Sequence, residues 1–168
     1  MALEYDLRLK NKKLTEEILK KKLESMGYSC KTVKQLANGI CIDLFAEAGF
    51  MVWLTDSGNP PYDAYDSDLL GREFPYEEDL CFQLDKEWED VEERYHVLLK
   101  MVFELMEELQ EEAVLACNWD AEICYFNGID PVVLNNEWGH WDIDCFQEVI
   151  VGREIVKAYR KCRILKQF

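Results

Sequence analysis

The chain has 168 residues and a mass of 19.8 kDa, a length that fits one domain whose core needs no staples. With 49% apolar residues, 12% aromatics and four prolines it is neither disordered, collagenous nor low-complexity. Nineteen Lys and Arg against 34 Asp and Glu leave a net charge of −15, which repels nucleic acid and anionic lipid.

The charge is uneven along the chain. Residues 1–35 carry nine basic and five acidic side chains and residues 153–168 carry six and one, which leaves four basic and 28 acidic residues for 36–152. Basic ends flank an intensely acidic middle.

Leu3, Tyr5, Leu7 and Leu9 alternate with Glu4, Asp6 and Arg8, the period of a half-buried strand with one polar face. Thr15 can cap a following helix with the stripe Leu14, Ile18, Leu19, Leu23 and Met26, and Gly27 stands just past its end. From Tyr28 strands return. Asn38-Gly39 suits a tight turn before Ile40, Ile42 and Leu44, and Gly49 separates these from a buried strand over 50–54.

Residues 55–78 read as one long loop, because Gly58, Pro60, Pro61, Gly71 and Pro75 break regular structure while Asp63, Asp66 and Asp68 crowd charge together. Loops of this length usually carry function. Leu80, Phe82 and Leu84 then alternate, and Asp85 leads into a long amphipathic helix with the stripe Trp88, Val91, Tyr95, Leu98, Leu99, Val102, Met106 and Leu109. Short strands at 113–117, 122–126 and 132–134 form a meander. From Asp144 the spacing of Phe146, Val149, Ile150, Val156 and Tyr159 predicts a helix, with Lys157, Arg160, Lys161 and Arg163 at its negative pole and Gly152 as a weak point. The expected fold is α+β: an antiparallel sheet with about three helices packed mainly on one face, in a single domain spanning 1–168.

The seven cysteines form no C-x-x-C pair and are odd in number, which fits a reduced protein rather than a disulfide framework or zinc ribbon. Glu4, Asp6 and Arg8 interrupt the opening, so it lacks the apolar run of a signal peptide, and nowhere do 18 apolar residues follow one another. The expected location is the cytoplasm, without membrane contact.

Candidate chemistry is sparse. Cys145 and His140 would be the raw material of a nucleophile pair, which needs an oxyanion hole and an orienting group that their spacing does not supply. His96, near Glu92 and Glu93, reads as an exposed, ion-paired imidazole. Counted from Asp63, the sixth and twelfth positions are Asp68 and Phe74, not the Gly and Glu of a calcium loop, so a solvated acidic loop is the better reading and no metal or cofactor is expected. Glycine-rich phosphate loops, G-x-S-x-G and H-E-x-x-H are all absent. Trp138 and Trp141, within eight residues that also hold Gly139 and His140, suit an interaction edge, and equally a pair of indoles packed in the core.

The opening Met1 to Leu9, the short helix beginning Leu14-Thr15-Glu16-Glu17, the segment Phe82-Gln83-Leu84-Asp85-Lys86, the long helix ending near Leu109, and Ala113-Val114-Leu115 with the hairpin and Leu134-Asn135 after it resemble a bacterial immunity-protein family associated with swarming-inhibition toxins. The resemblance covers about two thirds of the chain. It implies a protein, not an enzyme, that neutralises a cognate toxin by stoichiometric binding. The acidic middle would suit a toxin with a basic surface, with Asp63, Asp66, Asp68, Glu73 and the Trp138–Trp141 edge as contacts. Two other classes stay open. An enzyme with a scattered site predicts a deep pocket holding His140 or Cys145, and a self-associating structural protein predicts homo-oligomers dispersed by salt.

Overall fold

The computed structural model describes residues 3–118 and 121–158. In chain order the elements are β1 (Leu3–Leu9), α1 (Glu16–Ser25), β2 (Val33–Leu36), β3 (Gly39–Leu44), α2 (Phe45–Ala48), β4 (Phe50–Asp56), β5 (Ala64–Ser67), β6 (Arg72–Pro75), β7 (Glu78–Leu84), α3 (Val91–Leu109), β8 (Glu112–Cys117), β9 (Ala121–Asn127), β10 (Val132–Asn135), α4 (Asp144–Ile150) and β11 (Ile155–Ala158). A nine-stranded sheet runs β11-β10-β9-β8-β1-β7-β4-β3-β2, and β5 and β6 form a separate hairpin. The fold is α+β.

Three expectations need correction. The sheet is mixed rather than antiparallel, because β10 and β11 pair in parallel; the chain between them crosses through α4, and such a crossover returns the second strand in the same direction. There are four α-helices among the described residues, not about three. The last helix stops at Ile150, Gly152 takes φ +79°, and Ile155 and Val156 become a strand. Lys157 therefore lies in β11 instead of at a helix pole, while Tyr159, Arg160, Lys161 and Arg163 fall outside the described residues.

Within the sheet, the alternation of β1 sends Tyr5, Leu7 and Leu9 into the main core. They meet Leu80 and Phe82 of β7 and the stripe of α3, from Leu98 to Leu109, with Leu19 and Leu23 of α1 and Phe146 and Val149 of α4 on the same side. The helix caps are local. Thr15 Oγ1 accepts from the Ile18 N–H at 3.2 Å, and Asp90 Oδ1 from the Glu93 N–H at 2.9 Å. Helix α3 therefore starts at Val91, not at Asp85, and Val91 is exposed rather than part of the stripe. Trp88 lies before the helix, with its ring against Gly49, which holds φ +74° at the end of α2; a Cβ there would strike the indole.

The lysine-rich link from β1 to α1 is held by buried carboxylates. Glu111 Oε1 accepts from the Asn11 N–H at 3.0 Å and Glu78 Oε1 from the Leu14 N–H at 3.2 Å. Burial raises Glu78 from its ordinary 4.5 to about 7, against the Leu14 hydrogen bond that lowers it, and raises Glu111 too. The folded state thus holds the Glu78 proton more tightly than the unfolded chain. Its stabilising effect is complete below about pH 4.5 and is lost as pH rises through about 7. Glu78→Gln keeps an acceptor for Leu14 and removes the charge. We expect it to raise stability by about 2 kcal/mol at pH 8 and to leave it unchanged at pH 4. Urea denaturation at the two pH values checks this, and an equal effect at both would refute the titration.

Candidate functional site

The acidic stretch expected as one loop contains the β5–β6 hairpin, with β4 and β7 reaching into it from either side. The register pairs Tyr65 with Phe74, Asp66 with Glu73 and Ser67 with Arg72. Alternation on this hairpin turns Phe74 down onto the sheet and leaves Asp66 and Glu73 exposed.

Leu69, Phe74 and Tyr76 bury themselves against Val114, Tyr125, Val133 and Ala158, forming a second apolar cluster on the sheet face opposite the helices. Phe74 meets Tyr125 edge-on at 6.3 Å. The same hairpin covers Arg8. Its guanidinium sits 4.3 Å from the centroid of Tyr65 and 3.8 Å from the Asp6 carboxylate, and both members of that pair are fully buried. The polar face that alternation gives to β1 is therefore a buried one at Asp6 and Arg8.

Glu122 anchors the turn of the hairpin. It is 5% exposed and accepts from Ser67 Oγ at 2.6 Å, from the Leu69 N–H at 3.0 Å and from the Asp68 backbone. Burial pushes the Glu122 carboxyl up, and these three hydrogen bonds pull it back toward the ionised form. On its other side the Glu122 carbonyl accepts from Asn135 Nδ2 at 2.7 Å, and the Asn135 carbonyl accepts from Trp141 Nε1 at 3.0 Å. One connected set of hydrogen bonds thus joins the acidic hairpin to the tryptophan turn at a single end of the sheet.

Of the residues singled out in the sequence, Asp66, Asp68 and Glu73 are exposed on the hairpin, and Asp63 is half-buried at its base. Trp138 is half-buried and stacks edge-on against Trp141 at 4.6 Å, with His140 exposed beside it. Trp141 itself is only 4% exposed, so it is the wall behind Trp138 rather than part of the surface. Sequence reasoning missed Glu122 and Asn135. The available signal was the lone carboxylate heading the apolar run Ile123 to Phe126, since a charge at the start of a buried strand needs a partner.

No ion pair joins Asp66 or Glu73 to a cation among the described residues, although the two face each other directly across the hairpin. Like charges in that position are destabilising. The nearby Arg72 is directed to the Glu73 carbonyl and to Glu112.

A cleft of about 230 Å³ lies between the end of α3 and the β9–β10 turn, floored by Phe103 and Phe126, and a second of about 430 Å³ lies beside Lys12 and Glu78. Neither is lined by His140 or Cys145. Burial, with Glu92 and Glu148 nearby, pushes the Cys145 thiol up and away from the reactive thiolate. His96 pairs with Glu148 of α4 at 3.7 Å rather than with the glutamates of its own helix. None of the six cysteines among the described residues is in a disulfide, and no helix there is long and apolar enough to cross a membrane.

Residues 3–145, from β1 to the start of α4, match the model of a family of Sit-type immunity proteins. The chain belongs to the SitI3-like family. No curated protein and no solved structure matches it.

Proposed function

We propose that the protein acts in the cytoplasm as an immunity protein, neutralising a cognate bacterial toxin by forming a stoichiometric complex rather than by catalysis. The toxin presents a basic surface to the β5–β6 hairpin, where Asp63, Asp66, Asp68 and Glu73 meet it, with Trp138 as a flanking contact. The observation that carries this reading is the Asp66–Glu73 pair: two exposed carboxylates opposed across a rigidly anchored hairpin. A basic partner relieves their repulsion and is steered toward them.

The test mixes the tagged protein with the purified product of the gene beside its own, at low and moderate salt. A salt-sensitive one-to-one complex is expected. The variant D63N/D66N/D68N/E73Q should slow association by about tenfold to a hundredfold at low salt and leave the melting temperature unchanged or slightly raised. If the neighbouring product, supplied pure, forms no complex at low salt, the reading fails.

A further inference from the structure

The cleft of about 430 Å³ beside Lys12 falls within the size range of small-molecule sites. Three parts of the chain wall it: the link from β1 to α1, the turn between β2 and β3, and the paired ends of β4 and β7, where Asp56 stands opposite Glu78. Leu14, Ile40 and Leu54, all buried, supply its apolar lining.

The charged lining is one lysine against three carboxylates, and the three are not equivalent. Asp56 pairs with Lys12 at 2.6 Å, and Glu16 pairs with Lys20 at 2.6 Å. Glu78 is only 2% exposed, yet it joins no ion pair among the described residues. One of its oxygens accepts from the Leu14 N–H, and the other accepts no hydrogen bond among the described residues. Glu78 reaches the cleft wall, so this second oxygen is what a ligand there finds unsatisfied.

Buried charges are paired or neutralised. The charged groups that face Glu78 are Lys12 from the link, Asp56 from β4 and Glu111 from the segment before β8. Two acids thus outweigh one base, whose ammonium is committed to Asp56. The site lacks one positive charge. The same balance disfavours an anion, and an uncharged ligand leaves the carboxylate unpaired. A cation on a methylene stem suits both parts of the cleft, since such a stem covers apolar surface while its head stays polar.

We propose that this cleft binds an alkylammonium group, with its N–H donors on the open oxygen of Glu78 and its methylene stem against Leu14, Ile40 and Leu54. The group is carried by a free amine or polyamine or by the lysine side chain of a protein, and the chemistry of recognition is the same. The site uses no residue of the β5–β6 hairpin and stands apart from the immunity reading. Because burial keeps Glu78 protonated up to about pH 7, an ammonium that pairs with the carboxylate must displace that proton. Between pH 8 and pH 6 the ionised fraction falls from about nine-tenths to about one-tenth, so binding weakens about tenfold, while the amine stays charged throughout.

The test titrates isotope-labelled full-length protein at constant ionic strength with n-butylamine, a capped lysine tripeptide and spermidine. Tetramethylammonium, a cation without N–H donors, and butyrate serve as counterparts. n-Butylamine is expected to shift the Leu14, Gly39 and Ile40 amides saturably at pH 8, to bind about tenfold more weakly at pH 6, and to lose about tenfold or more in affinity for E78Q. That variant is expected to be more stable than the parent at pH 8, so its loss of binding cannot come from unfolding. A tripeptide that binds more tightly than spermidine assigns the site to a protein lysine, the reverse order assigns it to a free polyamine, and either supports the proposal. Equal shifts from tetramethylammonium or butyrate, binding undiminished in E78Q, an affinity indifferent to pH, or no saturable shift would each overturn it.

Discussion

Arg8→Met is expected to cost about 3–5 kcal/mol of stability at pH 8 and far less at pH 4. Arg8 is wholly buried beneath the hairpin, with the Asp6 carboxylate at 3.8 Å on its own strand and Asp79 opposite it on β7. Burial raises both carboxyls, Asp79 to about 7 where the Asp6 charge adds to the effect, and the guanidinium is the main group that holds each of them down, helped at Asp6 by a hydrogen bond from Cys81. Removing the cation leaves two acids in a dry site without compensation. Their folded-state affinity for protons then climbs further above the unfolded value of 3.8. The penalty is small near pH 4 and vanishes only well below the unfolded value of 3.8, where both carry protons in either state, and it grows as pH rises through 7 and beyond. Methionine replaces most of the aliphatic volume, so packing itself changes by only about 1 kcal/mol. Guanidinium denaturation at pH 4 and pH 8 reads the difference, and R8M/D6N/D79N should recover most of the loss at pH 8. A loss of the same size at both pH values would show that the site acts through packing and the Tyr65 ring contact rather than charge.

Phe74→Ala is the second large effect, expected at about 3–5 kcal/mol and local in its consequences. Phe74 is 1% exposed and is the central side chain by which the hairpin grips Tyr125 and Val133. The hairpin makes only its own two-stranded ladder and shares no backbone pairing with the nine-stranded sheet, so its attachment depends on this cluster, on Ser67 and on Leu69. Two-stranded ribbons are marginal alone. Hydrogen exchange should show amides of β5 and β6 losing protection while those of β1 and α3 keep theirs, and affinity for a hairpin-directed partner should fall with it. Uniform loss of protection across β1 and α3 would instead make the hairpin an integral part of the global fold.

The two sites differ in how far the chain announces them. The period-2 runs of β1, β3 and β7, and the steps of three and four in α1 and in α3 from Tyr95 to Leu109, could be read directly, because each element buries one face and the pattern records which face; β4, apolar throughout from Phe50 to Leu54, reads as a wholly buried strand and only the structure shows its alternation. The hairpin could not. Its strands are four residues each, Gly71 and Pro75 stand in or beside them, and the aspartates that mark its exposed side look the same in a coil. Strand β11 was hidden for the opposite reason: Val149, Ile150 and Val156 fit helical spacing, and only the break at Gly152 turns the chain back to pair with β10. Trp138 and Trp141 form a pair in the sequence, yet one is a surface residue and the other an internal wall, since the Trp141 indole N–H is committed to the Asn135 carbonyl.

Glu122 and Arg8 show the same boundary in their chemistry. Each reads in the sequence as an outward charge on a strand, and each is buried because the hairpin, some 50 or more residues away along the chain, lies over it. Local periodicity and turn residues were enough to determine an acidic α+β protein, since 2-residue and 3.6-residue repeats are written in neighbouring side chains, and the family-like segments pointed to the family it belongs to. Which strands become neighbours and which polar face is covered by the hairpin were decided only by the tertiary structure. Those outcomes follow from contacts between segments far apart in sequence, whose free energy depends on what finally packs above each face and not on the residues beside it in the chain.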